Sequence, residues 1–110
     1  MASLSTHVLD TSAGRPAEGV RVSLEAPDGT LLATGVTDAD GRVGDLAADL
    51  ASGDHRIRFD TGAWFAARGV AAFYPEVVVA FTVTAGQDEG EHYHVPLLLN
   101  PFGYSTYRGS

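Results

Sequence analysis

The chain has 110 residues and a net charge of −7 at pH 7, from seven arginines, no lysine and fourteen aspartates and glutamates. That length predicts one domain, residues 1–110, with room for a core; the acidity repels polyanions and no basic run tracks a phosphate backbone, which excludes nucleic-acid partners. Without cysteine there is no disulfide framework, thiolate metal site or cysteine nucleophile, and no stretch approaches the roughly 20 apolar residues that span a bilayer.

In chain order, Leu4-Ser-Thr-His-Val-Leu-Asp10 reads as a short strand ending in the turn formers Asp10 to Gly14. Alternation puts Thr6 and Val8 on one face and His7 and Leu9 on the other. Val20 to Ala26 alternates apolar and polar without a fault, the pattern of a half-buried strand. Pro27-Asp-Gly-Thr30 supplies a hairpin turn, and Leu31 to Thr37 returns as its partner. Thr37-Asp-Ala-Asp-Gly-Arg-Val43 is a polar loop leading into a short strand. It lacks the terminal acidic residue and flanking helices of an EF-hand, so it predicts no calcium site.

His55 to Asp60 alternates again, with Ile57 and Phe59 inward. The period then changes over Thr61 to Gly69, predicting a two-turn helix with Asp60 or Thr61 as N-cap and Gly69 at C′. Trp64 and Phe65 read as packing residues. Pro75 opens a strand over Glu76–Thr84 whose Val77, Val79, Phe81 and Val83 share a face. Residues 85–90 read as a hydrophilic hairpin loop to a partner strand, Glu91–Leu99. Asn100-Pro-Phe-Gly103 turns the chain into a last strand from Tyr104 to about Arg108. Seven or eight short strands with regular turns and one short helix predict an all-β sandwich.

On Glu91–Leu99, Tyr93, Val95, Leu97 and Leu99 face the core, and His92, His94, Pro96 and Leu98 face away. Pro96 and Leu98 make that outer face too apolar to stand in water, and His7 with Leu9 repeats the trait on the first strand. An apolar outer face of this kind is covered by something, and a second copy of the chain is the expected cover. Three readings of the histidines stand side by side: a metal-chelating His-x-His pair, acid–base chemistry with an arginine, and interface imidazoles without chemistry. Arg42 alone reads as a solvated arginine at the loop exit.

Leu4-Ser-Thr-His-Val-Leu-Asp10 with Gly14-Arg-Pro-Ala17, and His92-Tyr-His-Val-Pro-Leu-Leu-Leu99 with Tyr104-Ser-Thr-Tyr-Arg-Gly-Ser110, resemble the N- and C-terminal signatures of the transthyretin-related 5-hydroxyisourate hydrolases. The resemblance runs nearly end to end, and the closing Tyr107-Arg-Gly-Ser110 separates these hydrolases from the hormone carrier transthyretin. Asn100 departs from the family's usual serine, at a turn that asparagine also suits.

The resemblance implies a transthyretin (prealbumin)-like sandwich and a homotetramer built as a dimer of dimers. It also implies hydrolysis of 5-hydroxyisourate without cofactor or metal. Matched residue by residue, His7, Arg42, His94 and Ser110 are the implied catalytic group, and Tyr107 joins His7 and Arg42 in holding substrate. His92 reads as a supporting residue and His55 as structural. A histidine with a pKa near 6.5 can take a proton from water at neutral pH, and Arg42 can hold charge developing on the attacked carbonyl. A transthyretin-like carrier is the alternative, although these polar residues suit an apolar ligand channel poorly. No basic or apolar leader opens the sequence and no peroxisomal signal closes it, so a cytoplasmic location is expected.

Overall fold

The computed structural model describes residues 2–84 and 91–109. Among them lie β1 (Ala2–Asp10), β2 (Arg15–Pro16), β3 (Arg21–Glu25), β4 (Leu31–Val36), β5 (Arg42–Leu50), β6 (Gly53–Phe59), α1 (Thr61–Ala67), β7 (Val77–Val83), β8 (His92–Asn100) and β9 (Gly103–Thr106). β2 has two residues and is little more than a bridge to β1, so the count agrees with the expected seven or eight strands.

The strands form two sheets. One runs β2-β1-β8-β9, with β5 sharing the β2 edge of β1; the other runs β4-β3-β6-β7. All pairings are antiparallel except β1 with β8, which run parallel in continuous register from Ser3 opposite His92 to Asp10 opposite Leu99. The inward faces meet in one core. Leu4 and Val8 of β1 and Leu97 of β8 meet Val22, Leu24, Ile57 and Phe59 from the other sheet, all fully buried. Each such aliphatic side chain contributes about 1.5–3 kcal/mol by leaving water. That is why strict alternation in β3, β6 and β8 fixes which face points out.

The hairpin of β3 and β4 forms as expected, with Arg21 opposite Val36. The expected hairpin of Glu76–Thr84 with Glu91–Leu99 does not form. Among the described residues β7 pairs only with β6, and β8 lies between β1 and β9 in the opposite sheet. Both segments have an apolar inner face, and these faces meet across the core instead of side by side; the Phe81 and Tyr93 rings stand 6.3 Å apart. The loop expected at 85–90 falls outside the described residues. The strand after the polar loop is also longer than expected, nine residues in β5, because pairing with β1 holds a segment whose own pattern is weak.

α1 matches its expected span and ends with Gly69 at φ +71°, whose N–H bonds Ala66 O at 3.0 Å. Asp60 occupies the N-cap without a side-chain cap bond. Trp64 packs as expected, donating Nε1–H to Glu18 O at 2.7 Å under the Arg68 guanidinium. His55 is buried, its Nδ1 donating to Gly53 O at 3.2 Å, which is a structural role.

Candidate active site

The outward face of the five-stranded sheet gathers the histidines. On β1, Ser3, Ser5, His7 and Leu9 point outward; on β8, His92, His94, Pro96 and Leu98 do the same. The parallel register sets Ser3 beside His92, Ser5 beside His94 and His7 beside Pro96. On the other edge of β1, β5 sets Arg42 opposite His7.

Arg42 is held there by the turn before it. Asp38 Oδ1 accepts the N–H groups of Asp40 at 2.9 Å and Arg42 at 3.0 Å. Gly41, at φ +76°, accepts the Val8 N–H at 2.7 Å. A Cβ at position 41 would overlap Val8 O, so only glycine lets the turn lie this close to β1. The Asp38 carboxylate is thus a turn staple. His7, Leu9, Pro16, Asp40 and Arg42 line an open cleft of about 440 Å³.

His92 and His94 turn ring nitrogens onto one hydroxyl. Ser5 Oγ lies 2.7 Å from His92 Nε2 and 2.7 Å from His94 Nδ1, and Ser3 Oγ lies 2.6 Å from His92 Nδ1. His94 is half-buried and His92 exposed. Among the described residues, no group of three or more histidine or carboxylate side chains is arranged to hold a metal ion. Burial pushes the His94 pKa below its ordinary 6.5, and His7, His92 and Arg42, in falling order, push the same way. These surroundings keep the imidazole neutral, with a nitrogen free to take a proton, and make its protonated form the stronger acid, which gives that proton up readily.

The C-terminal segment closes over this group. The Gly109 N–H donates to His94 O at 2.8 Å. A Cβ on Gly109 would overlap the His94 ring, so the glycine backbone lies flat against the imidazole. Arg108 anchors the segment, stacking over Tyr93 and pairing with Glu91 at 3.2 Å.

His7, Arg42 and His94 therefore share one face. Tyr107 does not join them within the chain. It is exposed and lines a separate, largely apolar pocket of about 290 Å³ with Phe81, Tyr93 and Val95. Ser110 lies outside the described residues, one position beyond the glycine that abuts His94. Ser5 is the residue that sequence reasoning passed over; its parity with His7 was the available signal.

A two-layer β-sandwich carrying imidazoles and a guanidinium on the outer face of one sheet defines a transthyretin-like protein with a polar site. Residues 4–109 match the model of the HIUase/Transthyretin family, and the chain belongs to that family. It is 46% identical to a probable 5-hydroxyisourate hydrolase of Schizosaccharomyces pombe, over 97% of this chain and 90% of that protein. Among solved structures, the Klebsiella pneumoniae 5-hydroxyisourate hydrolase superposes with a TM-score of 0.90 at 43% identity, covering 100% of both chains. Sea bream transthyretin in complex with thyroxine superposes with a TM-score of 0.85 at 34% identity, over 96% of this chain and 93% of that one.

Proposed function

We propose that the chain hydrolyses 5-hydroxyisourate to 2-oxo-4-hydroxy-4-carboxy-5-ureidoimidazoline in urate degradation, with His7, Arg42 and His94 as its catalytic group. The observation that carries this reading is the convergence of those three side chains on one outward face, in a chain whose relatives bear the hydrolase name. Opening a ring amide requires water to lose a proton as it attacks the carbonyl. His94 or His7 takes that proton. Arg42 offers a planar fork of donors to the substrate's ring oxygens and holds the charge that grows on the carbonyl oxygen. Ser110 completes the pocket, and Tyr107, which lines a separate pocket within its own chain, orients substrate across the subunit interface of the tetramer.

The domain spans residues 1–110 and works in the cytoplasm as a homotetramer, a dimer of dimers that buries the outward face of the five-stranded sheet. Leu9 and Leu98, part-exposed around the polar group, support a covered face, whereas Pro96, expected to need the same cover, is already buried within the chain. A carrier role draws support from the likeness to the thyroxine-bound sea bream protein. It is disfavoured because imidazoles and a guanidinium line this face and would have to be desolvated by an apolar ligand.

The test is the ultraviolet decay of freshly generated 5-hydroxyisourate. Catalytic amounts of the protein accelerate it, and His94→Asn abolishes the acceleration. Unchanged decay with folded wild-type protein overturns the hydrolase reading and favours the carrier.

A further inference from the structure

A line of hydrogen bonds runs along the outward face from exposed side chains to the half-buried imidazole. Its links are Ser3 Oγ to His92 Nδ1 at 2.6 Å, His92 Nε2 to Ser5 Oγ at 2.7 Å, and Ser5 Oγ to His94 Nδ1 at 2.7 Å. The parallel register builds it, since serines two apart on β1 face histidines two apart on β8. Ser5 is the pivot. A hydroxyl has one proton to give, so it can donate to only one of the two imidazoles, and the other must donate to it. With Nδ1 of His94 engaged by Ser5, Nε2 is the nitrogen left for water or substrate.

We propose that Ser5 and His92 are positioning residues for the hydrolysis, fixing His94 with Nε2 available and sharing outward the proton that His94 takes up. This rests on the functional reading given above. In the resting state the His94 Nδ1–H donates to Ser5, the Ser5 O–H donates to His92 Nε2, and the His92 Nδ1–H donates to Ser3. Water gives a proton to His94 Nε2. The Nδ1 proton then passes to Ser5 Oγ, and the former Ser5 proton passes to His92 Nε2. His94 is left neutral with a proton on Nε2, and the positive charge sits on His92. When Nε2 protonates the departing ring nitrogen the transfers reverse, and every proton is accounted for.

The surroundings give such a path a purpose. His7 from β1, Arg42 from β5 and His92 on its own strand all disfavour a cation at His94, as burial does. From the C-terminal segment the ring meets the uncharged Gly109 backbone. Asp40 lines the cleft beside His7 and Arg42, while Glu91, the neighbour of His92, bonds Arg108 and Tyr93. His92 is exposed, and water there solvates a positive charge that the half-buried position does not.

Two readouts test the proposal on the full chain. The first needs no substrate: NMR titration of the His94 ring in wild type, His92→Asn, Ser5→Ala and the double variant. A hydrogen-bonded path predicts that His92→Asn shifts the His94 titration and tautomer when Ser5 is present, and much less in the Ser5→Ala background. An equal shift in both backgrounds means charge acting through space and overturns the proposal. The second is kinetic. Ser5→Ala is expected to lower kcat about 10- to 100-fold with KM within about twofold, and Ser5→Thr, which keeps the hydroxyl, to restore most of it. A wild-type kcat in Ser5→Ala overturns the proposal. A wild-type protein that fails to accelerate 5-hydroxyisourate decay while the NMR coupling is intact overturns the functional reading instead.

Discussion

On the outward face of the four-stranded sheet, Arg58 of β6 sits between two carboxylates, bonding Glu25 of β3 at 3.3 Å and Glu76 on its other side. Both pairs lift its pKa above the ordinary value, Glu76 more than Glu25. On the outward face of the five-stranded sheet, Arg42, His7, His92 and His94 form no ion pair with a carboxylate among the described residues. The same acidic chain thus neutralises one arginine twice and leaves another beside three imidazoles. Solvated surface charge gains little by pairing. An arginine in no ion pair, beside a half-buried imidazole and two further histidines, is placed to meet an anionic or charge-developing ligand.

Four perturbations would break or sharpen this contrast. The largest effect is expected at the unpaired cluster itself. Arg42→Ala or His94→Asn should lower kcat/KM by about 10²–10³ while the far-ultraviolet circular dichroism and thermal midpoint stay near wild type; full turnover in both would detach the cluster from catalysis. Gly109→Ala comes next. Its methyl would meet the His94 ring, so turnover should fall about tenfold with little loss of stability, read by kinetics beside a thermal melt. Wild-type activity there would show that the C-terminal segment need not lie against the imidazole.

Acid should expose His94 more gently. Because its folded pKa is lowered, the imidazole stays neutral below about 6.5, its unfolded value, so the acid limb of kcat/KM should lie below that pH. The sign for stability follows. The contribution is present in full above about 6.5 and is lost as pH falls from there through the folded value, since the unfolded chain takes the proton first. Chemical denaturation across that window would show it, and a limb above 6.5 would contradict the lowered value. The smallest effect is expected on the other sheet: Arg58→Ala should cost about 0–1 kcal/mol of stability and leave turnover unchanged.

The two sheets also differ in how far the sequence reveals them. In β3 and β6 local alternation was enough to set the faces, which follow from a period of two, and the short turn between β3 and β4 was enough to pair those two strands. The outward placement of His7, His92 and His94 was legible for the same reason. Pairing partners across long stretches of chain were not. β7 and β8 each looked like half of a hairpin, yet an apolar inner face does not distinguish a neighbour in one sheet from an opposite across the core. β5 was underestimated because its residues follow no clean period and its partner is fixed by register with β1. Ser5 escaped notice because nothing within β1 indicates that a histidine 89 positions later would lie beside it. Arg42 and Tyr107 entered through resemblance to known motifs; spacing alone ranked Arg42 as a solvated arginine.

The parallel pairing of β1 with β8 has a consequence for when the protein becomes competent. The contacts of Ser5 with His92 and His94 span 87 and 89 positions, among the longest separations this chain allows. Closing so long a loop has an entropic cost that earlier contacts must first offset. A chain still being made can assemble the β3, β4 and β6 side of the sandwich, but its catalytic face waits for the last strands to leave the ribosome. Activity should therefore appear late and all at once, and a chain ending before His92 should carry no chemistry.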